Sequence, residues 1–359
     1  AYSLNTVDIC PVGALTSRTS RFAARAWEYV NTPSVCVQCG VGCNVTLGVK
    51  TDTLHRVTAR LNPAVNDEWL CDRGRFAIDF VHGADRLTSP LIRGADGTLE
   101  PATWDEALQL VGHKLTTIVE EHGPDALGGL GSATATNEAN YLLQRFMRAG
   151  FGTNNIDHVG RMPEGAMPVD MERLGGADVV LLCGVQLSEE APVLELLLRR
   201  RAMERTVRCV GIGPVRPDLT DAGGTWLPCA PEHWVAALNG LAALLAKTET
   251  GKKANNVAEL VEWVKTFTPA ETERLAGVPA KDLEAVAAML EGAKRALILY
   301  GTAAWSSPDV LRALNNLALL IGASAPACVV DACNTRGALD MGVAPGLLPG
   351  REPLAKGAV

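Results

Sequence analysis

The chain has 359 residues, of which 47% are hydrophobic and 20% charged, and its formal net charge is -7 at pH 7. A chain of this length and composition forms about two or three compact units, and its apolar content excludes general disorder. The negative charge gives no support for nucleic-acid binding, which requires a basic surface. No run of roughly 18 uncharged apolar residues occurs, so we expect no direct membrane insertion and any membrane association to come through a partner.

Residues 1–30 carry DICPVGAL followed by the arginine-rich stretch SRTSRFAARAWEYV, which predicts a helix without a core of its own. Cys10 precedes a proline, as the last ligand of a ferredoxin-type motif commonly does. The cysteines that would precede it are absent, because the sequence begins only nine residues earlier. Cys10 is therefore either an isolated buried thiol or the ligand of a second cluster in a longer protein, and we favour the longer protein.

Residues 31–86 are predicted to be short strands and turns around four cysteines. The alternation in VTLGVKTDTLHRVTAR, with a polar turn at 50–53, predicts a β-hairpin. The cysteines follow the spacing C-x2-C-x3-C-x27-C, and they are Cys36, Cys39, Cys43 and Cys71. Three thiolates on one tight loop can cover three corners of a cubane, and the distant fourth closes the last corner.

The loop between these cysteines is rich in glycine. Gly40 and Gly42 suit a chain that must bend around a metal and turn its N–H groups toward the sulfurs. A zinc site is the alternative, but zinc more often takes two CxxC pairs from two separate knuckles. The spacing therefore favours a [4Fe–4S] cluster over zinc. The remaining five cysteines are scattered and are predicted to be small buried hydrophobic residues: Cys183, Cys209, Cys229, Cys328 and Cys333.

From about residue 87 the pattern changes to alternating strands and helices. TWDEALQLVGHKLTTIVEEHG predicts an amphipathic helix with Thr103 as N-cap, Glu106 completing a capping box and Gly123 as its stop. DALGGLG predicts a strand and TNEANYLLQRFMRAGFG a second helix. The runs ADVVLLCG, VRCVGIG and RALILYG are apolar and end in glycine, which predicts buried parallel strands. Helices are predicted between them, including APVLELLLRRRAMER and PDVLRALNNLALLIG.

Two further patterns give no defined site. The glycines of GIG at 211–213 lack a third partner, so no dinucleotide-binding loop is predicted. Arg199, Arg200 and Arg201 end an apolar helix, where they either complement the helix dipole or form a subunit interface, and both interpretations stay open. No nucleophile elbow, carboxylate pair or histidine pair stands out, so no catalytic residue is predicted.

Five stretches of the chain carry a family resemblance: DICPVGALTS, TPSVCVQCGVGCNV, NPAVNDEWLCDRGRFAIDFVHGADRLTSPLIR, ADVVLLCGVQLSEEAPVLELLLRRR and NTRGALDMGVAPG. Together they resemble the large iron–sulfur G subunit of NADH–quinone oxidoreductase, the respiratory complex I. That family lies within the molybdopterin oxidoreductase superfamily, which includes formate dehydrogenases. The resemblance covers essentially the whole chain, and it implies a preceding ferredoxin-like region with more clusters.

The resemblance implies an iron–sulfur electron-transfer and structural subunit of a complex I type assembly. Cys36, Cys39, Cys43 and Cys71 would hold one [4Fe–4S] cluster off the main electron path, and Cys10 would serve a second [4Fe–4S] cluster. The partners would be the other peripheral-arm subunits, on the cytoplasmic face of the inner membrane. The chain would belong to an enzyme, NADH:quinone oxidoreductase, without being catalytic alone.

The expected fold class is α/β, with a small iron–sulfur domain followed by a two-lobed, doubly wound α/β body of the molybdopterin-oxidoreductase type. The expected domains are the end of a ferredoxin-like cluster region (1–30), the [4Fe–4S] domain (31–86), a discontinuous first lobe (87–155 with 292–359) and a second, Rossmann-like lobe (156–291).

The superfamily also raises the hypothesis of a molybdenum or tungsten enzyme. In its active members the metal ligand follows an N-N-x-D segment, which is NNIDHVGRMPEGAMP in this sequence. His158, Arg161 and Met162 lie where the ligand and its neighbours would be, no cysteine is present, and methionine is a poor ligand for a hard metal. We expect His158, Asp157 and Arg161 to form a satisfied buried polar network instead.

No molybdopterin is therefore expected, and the cofactor cleft is interpreted as vestigial. Arg73, two residues after Cys71, lies where active relatives often place a lysine between cluster and pterin, but a cation there also simply offsets the negative cluster. Two alternatives stay open: a catalytic molybdenum or tungsten oxidoreductase such as a formate dehydrogenase, and a structural scaffold whose four cysteines hold zinc.

Overall fold

The computed structural model describes residues 2–160, 162, 166–254, 257–305 and 307–355. Contacts divide the chain into two compact units. The first unit comprises Ala1–Val49, His55–Arg75 and Met162–Cys333, and the second comprises Lys50–Leu54, Phe76–Arg161 and Asn334–Val359. These units group the residues differently from the predicted lobes, whose boundaries stay a prediction.

The described residues form strands β1 to β13 and helices α1 to α15, numbered in chain order. The strands are Val30–Val35 (β1), Asn44–Lys50 (β2), Thr53–Ala59 (β3), Leu91–Arg93 (β4), Leu99–Pro101 (β5), Gly129–Ser132 (β6), Ile156–Val159 (β7), Met167–Pro168 (β8), Val179–Cys183 (β9), Arg208–Gly213 (β10), Thr225–Pro228 (β11), Ala296–Tyr300 (β12) and Ala327–Cys328 (β13). The helices are Asn5–Ile9 (α1), Asp72–Phe76 (α2), Trp104–His122 (α3), Asn137–Arg145 (α4), Met171–Gly176 (α5), Leu187–Glu190 (α6), Pro192–Met203 (α7), Trp234–Leu245 (α8), Glu249–Lys253 (α9), Ala258–Val264 (α10), Pro269–Ala276 (α11), Ala280–Glu291 (α12), Thr302–Trp305 (α13), Pro308–Leu320 (α14) and Thr335–Asp340 (α15).

The first unit is built on a six-stranded sheet with the order β11-β10-β9-β12-β13-β8. Every neighbouring pair in it is parallel. Strands β9, β10 and β12 are buried along almost their whole length, as expected for apolar strands covered by helices on both faces. This confirms the predicted buried parallel strands and the doubly wound α/β class.

The helices α7 and α14 form where apolar residues recur with helical periodicity. Both begin with a proline in the first turn, where its missing N–H is not needed, and α14 is capped by the Ser307 side chain. Leu194 and Leu198 of α7 pack into the same core as Val180 and Leu182 of β9. Helix α7 therefore packs against the sheet.

Three strands, in the order β1-β2-β3, make up the small N-terminal sheet, and β1 pairs with β2 in antiparallel fashion. Strands β2 and β3 are joined by Thr51 and Asp52, both with positive φ, as two-residue hairpin turns require. The predicted hairpin is thus confirmed.

The second unit contains helix α3, which begins after Thr103 and ends before Gly123. The Thr103 side chain accepts from the Glu106 N–H, and the Glu106 side chain accepts from the Thr103 N–H at 2.8 Å. The predicted capping box and stop are confirmed. A parallel pair of strands, β6 and β7, packs with α3 and α4 around Leu127, Met147 and Ile156.

The helix predicted from Ser17 to Val30 is wrong. Residues 18–23 form turns, and only Ala26–Glu28 makes a short 3-10 turn. Phe22 has a φ of 64°, which no right-handed helix accommodates, and its side chain is 90% exposed. The stretch has no apolar stripe to bury, so arginine and alanine propensity alone does not hold a helix. No helix within the described residues is long and apolar enough to cross a membrane.

Candidate metal centre

The loop from Cys36 to Cys43 connects β1 to β2 and is closed by its own backbone. The Cys36 N–H donates to the Cys43 carbonyl at 2.8 Å, so the two ends of the loop meet. Gly42 has a φ of 67°, a conformation that glycine adopts without strain. The loop bends as the spacing predicts.

Two buried asparagines fix the segments that carry the third and fourth cysteines. The Asn66 side chain accepts from the Asn44 N–H at 2.8 Å and donates to the Trp69 carbonyl at 3.0 Å. The Asn5 side chain accepts from the Leu70 N–H at 3.1 Å and donates to the Leu70 carbonyl at 3.0 Å. Cys43 and Cys71 are each next to one of these anchored residues.

The four predicted ligand cysteines are all free and buried, with exposed fractions of 9%, 5%, 3% and 4% for Cys36, Cys39, Cys43 and Cys71. The pKa of Cys36 is raised to about 11, chiefly by burial and also by the charges of Cys39 and Cys71. Burial also raises the pKa of Cys43, with added repulsion from the other three. Both pKa values thus respond to the charges of neighbouring cysteines.

Two glycines in this region lie close to neighbouring groups. A Cβ on Gly74 would lie 3.1 Å from the Cys36 sulfur and 2.8 Å from the Leu70 Cδ1. A Cβ on Gly40 would lie only 2.1 Å from the Val330 Cγ2, because the Gly40 N–H donates to the Val330 carbonyl at 3.0 Å. Both glycines are needed for close approach of backbone to a neighbour.

The donor set fits an iron–sulfur cluster. Among the described residues, no group of three or more His, Cys, Asp or Glu side chains is arranged to hold a single metal ion. A cubane distributes its four thiolates over four iron atoms, so its ligands do not have to converge on one point. Four free, buried thiols also suit a cofactor that takes thiolate ligands and supplies positive charge.

Cys10 lies apart from this description. It is only partly buried, and the backbone N–H groups of residues 12–15, led by that of Leu15, lower its pKa. Of the five cysteines predicted to be buried, Cys183, Cys209, Cys229 and Cys328 are so, with pKa values raised by burial to about 11 or 12. Cys333 is only partly buried, so that prediction is wrong.

The polar network predicted around His158 is incomplete. Nδ1 of His158 is 2.7 Å from the Val343 carbonyl, but its buried Nε2 has no hydrogen-bond partner within the described part of the chain. The prediction of a satisfied network is therefore wrong at that atom. Arg161 lies outside the described residues, and Met162 is buried.

The arginines at the end of α7 all have partners within the first unit. Arg199 pairs with Glu195 at 2.7 Å, and Arg200 with Asp67 at 3.1 Å. Arg201 donates to two backbone carbonyls of the α5 region, at 2.5 and 2.6 Å. Sequence reasoning did not find these partners, because most of them lie far away along the chain.

The segment that carries the four cysteines and the parallel sheet together define an α/β protein with an iron–sulfur domain. The profile named "Molybdopterin oxidoreductase" matches residues 86–335, and the chain belongs to this family. The profile named "NADH-ubiquinone oxidoreductase NDSU1/NuoG-like, 4Fe-4S domain" matches residues 29–79. The predicted resemblance and fold are thus confirmed.

Relatives from three enzyme types are similar to the chain. The second NADH-quinone oxidoreductase G subunit of Rhizobium meliloti is 34% identical over 98% of the chain and 42% of the relative. NADPH-Fe(3+) oxidoreductase subunit alpha of Geobacter sulfurreducens is 30% identical over 97% of the chain and 44% of the relative. F420-dependent formate dehydrogenase subunit alpha of Methanocaldococcus jannaschii is 30% identical, over 92% and 52%. The chain spans about half the length of these curated relatives or less.

Among solved structures, acetylene hydratase from Pelobacter acetylenicus superposes with a TM-score of 0.68 at 21% identity. The match covers 81% of this chain and 43% of that one. At this identity the similarity shows a common fold and carries no functional information.

Proposed function

We propose that the chain is an iron–sulfur electron-transfer and structural subunit of a complex I type NADH:quinone oxidoreductase. One observation carries the proposal: four free, buried cysteines lie in the segment that the NuoG-like 4Fe-4S profile matches. Relatives named as NADH-quinone oxidoreductase G subunits align over almost the whole chain. In this assignment the chain is not catalytic alone.

Cys36, Cys39, Cys43 and Cys71 would hold one [4Fe–4S] cluster, which supplies one-electron transfer when bound. The chain's own contribution is to hold the four thiols in a buried position and to exclude water from them. The Asn5 and Asn66 side chains would fix the two loops, so that little ordering is left for the moment of cluster binding.

Cys10 would be the ligand of a second [4Fe–4S] cluster. Its support is the fan of backbone N–H groups from residues 12–15, which favours the thiolate form that metals bind. Its neighbours in the sequence expose apolar side chains, with Ile9 at 62% and Val12 at 81%, and Trp27 further along the chain is also 81% exposed. Exposed apolar groups of this size suit a partner surface. The partners would be other peripheral-arm subunits, through which the chain associates with the cytoplasmic face of the inner membrane.

No molybdopterin is included in the proposal, and the cleft is taken as vestigial. The support is chemical: the segment NNIDHVGRMPEGAMP offers no cysteine as a metal ligand. The second candidate is a catalytic molybdenum or tungsten oxidoreductase, favoured by the formate dehydrogenase relatives, which align over 90% or more of the chain. A zinc-bearing scaffold is the third.

Elemental analysis of the purified protein for iron, zinc, molybdenum and tungsten tests all three. About four irons per chain from one cubane, without molybdenum or tungsten, is the expected result. Stoichiometric molybdenum or tungsten would establish the catalytic alternative. Zinc without iron in a colourless preparation would establish the scaffold.

A further inference from the structure

The six-stranded sheet reverses its winding between β9 and β12. From β9 the chain continues to β10 and β11 on one side, whereas β12 and β13 lie on the other side of β9. At such a switch point the loops leaving the carboxyl ends of the strands separate and form a crevice. Open α/β sheets bind their ligands in this crevice.

The Glu190 carboxylate lies at this point. One of its oxygens accepts from the Gln186 N–H, which follows β9, at 2.9 Å. The other accepts from the Thr302 N–H at 3.3 Å and from the Thr302 hydroxyl at 3.4 Å, just after β12. Donors from both sides of the switch point are thus used by a side chain of the protein itself.

Gly301, the residue after β12, lets the carboxylate approach the backbone closely. A Cβ at this position would lie 2.7 and 2.9 Å from the two Glu190 oxygens and 2.8 Å from the Gly184 carbonyl. Glycine is the residue that permits such an approach, whether the anion belongs to a ligand or to the protein.

The surroundings of Glu190 also disfavour a bound anion. The negative charge of Asp331 repels that of Glu190 and contributes to raising the pKa of Glu190, after the larger effect of burial. The cavity between the cysteine loop and this edge measures about 40 Å³ and has apolar lining residues such as Val41, Leu194 and Val329. Ligand pockets usually measure roughly 300–1,000 Å³.

Arg73 places a cation at the same edge of the sheet. Its Nη2 donates to the Glu190 carbonyl at 3.0 Å, and its buried Nε has no hydrogen-bond partner in the described ranges. A guanidinium with an unused buried N–H ordinarily has an acceptor nearby. Glu190 satisfies the neighbouring backbone donors but not this one.

We propose that Glu190 is a built-in carboxylate that occupies the anion-receiving position at the switch point, and that it closes the crevice against the phosphate of a molybdopterin-type ligand. The residues present therefore do not fit that cofactor. This inference rests on the proposed function, in which the chain carries no molybdopterin, and it adds the side chain responsible.

The test is isothermal titration of the full-length, iron-loaded protein with inorganic pyrophosphate at low salt. Wild type should show no measurable binding at millimolar concentrations. Glu190→Ala frees three hydrogen-bond donors and removes a charge, so its affinity should rise by at least about tenfold, as expected for regained hydrogen bonds to a charged group. Glu189→Ala is the matched control, because it removes the same charge from an exposed neighbour and should behave as wild type.

Two observations would overturn the inference. One is pyrophosphate binding by wild type as tight as that of Glu190→Ala, and the other is no gain in Glu190→Ala over Glu189→Ala. If Glu190→Ala loses its iron, the same titration is made with Glu190→Ser. Serine also lacks the carboxylate but keeps a polar group at this position. Molybdenum in wild type would instead refute the proposed function, so the two failures are distinguishable.

Discussion

At the scale of single residues, the environment of Cys36 and Cys43 disfavours the thiolate form. Burial and mutual repulsion raise the pKa of Cys36 and of Cys43, so at neutral pH these two groups are protonated thiols. A metal or cluster binds thiolates, so its uptake must release protons and depends on pH. The site therefore couples cofactor binding to the stability of the loops that carry it.

Replacing one of these ligands tests the assignment. Cys39→Ser should reduce the iron content from about four per chain to none and remove the brown colour, because the cubane needs all four thiolates. Hydrogen exchange over 31–75 should then speed up. Cys229→Ser is the control, since Cys229 is also buried but lies in another part of the first unit, and its iron content should stay unchanged. Retention of iron in Cys39→Ser would disprove its role as a ligand.

The spacing of the cysteines predicts four ligands, all of which are buried, and their role as ligands stays a prediction. The spacing does not predict which residues position them. Asn5 holds the residue before Cys71 across 65 positions, and the Gly40–Val330 contact spans a still longer stretch of chain. An asparagine at the start of a short helix carries no local signal of such a role, because its partners are backbone groups brought near only by the fold.

At the scale of single elements, helix α3 depends on its N-terminal cap. Thr103→Ala removes the side chain that accepts the Glu106 N–H and should cost about 1 kcal/mol locally. Amide exchange in the first turn of α3 should speed up about fivefold. Thr116→Ala, an exposed position in the middle of the same helix, should leave exchange in that turn unchanged. Equal effects of both substitutions would argue against the cap.

Asp178 joins the start of β9 to the start of β12. Its two carboxylate oxygens accept from the Lys294 N–H at 2.8 Å and the Arg295 N–H at 2.9 Å. Burial acts to raise the pKa of Asp178, but these hydrogen bonds outweigh it and hold the pKa below its ordinary value. Because the pKa is lowered, Asp178 contributes its full stabilisation above the pKa of an unfolded-state aspartate, about 4. The stabilisation is lost as the pH falls through the folded-state pKa.

Asp178→Asn should therefore destabilise the protein by about 1 kcal/mol at neutral pH, since an amide offers one acceptor instead of two. The difference from wild type in urea unfolding should stay constant above about pH 5 and shrink below about pH 4. Glu291→Gln, an exposed acid, serves as the control and should show no such pH dependence. A difference that persists unchanged at about pH 3 would contradict the hydrogen-bond explanation.

The long apolar strands and the capped helix were predictable because their signals are local. Strands β8 and β13 were not, since each has two residues and exists only through pairing with a neighbour. The false helix from Ser17 to Val30 shows the reverse case. Its residue types favour a helix, but no apolar stripe gives that helix a surface to pack on.

At the scale of the whole molecule, the four-cysteine segment and the six-stranded sheet belong to one compact unit. The Gly40 N–H donates to Val330 after β13, Arg73 donates to the Glu190 carbonyl, and Arg200 pairs with Asp67. The boundaries of the small iron–sulfur domain predicted at 31–86 stay a prediction. The bonds between this segment and the sheet could not be predicted from local patterns, because their partners lie far apart along the chain.

The Gly40–Val330 contact provides a test of how strongly the cysteine loop depends on the sheet. Gly40 does not have a positive φ, so Gly40→Ala is opposed only by its neighbours, chiefly the Val330 Cγ2 at 2.1 Å from the added Cβ. The substitution should lower iron retention and thermal stability. Val330→Ala removes the clashing methyl, so in the double variant much of the loss should be recovered, with a coupling of about 1 kcal/mol or more.

Gly42→Ala separates this steric effect from backbone strain. Gly42 has a φ of 67°, and a Cβ added to it would lie 3.8 Å from its nearest neighbour, the Val35 Cγ1. The stability lost in Gly42→Ala therefore arises from backbone conformation rather than from crowding. Val330→Ala should therefore rescue Gly40→Ala but not Gly42→Ala, as measured by iron per chain and melting temperature. Additive effects in both double variants would mean that the loop yields without the sheet, and that the Gly40–Val330 contact does not support the cluster.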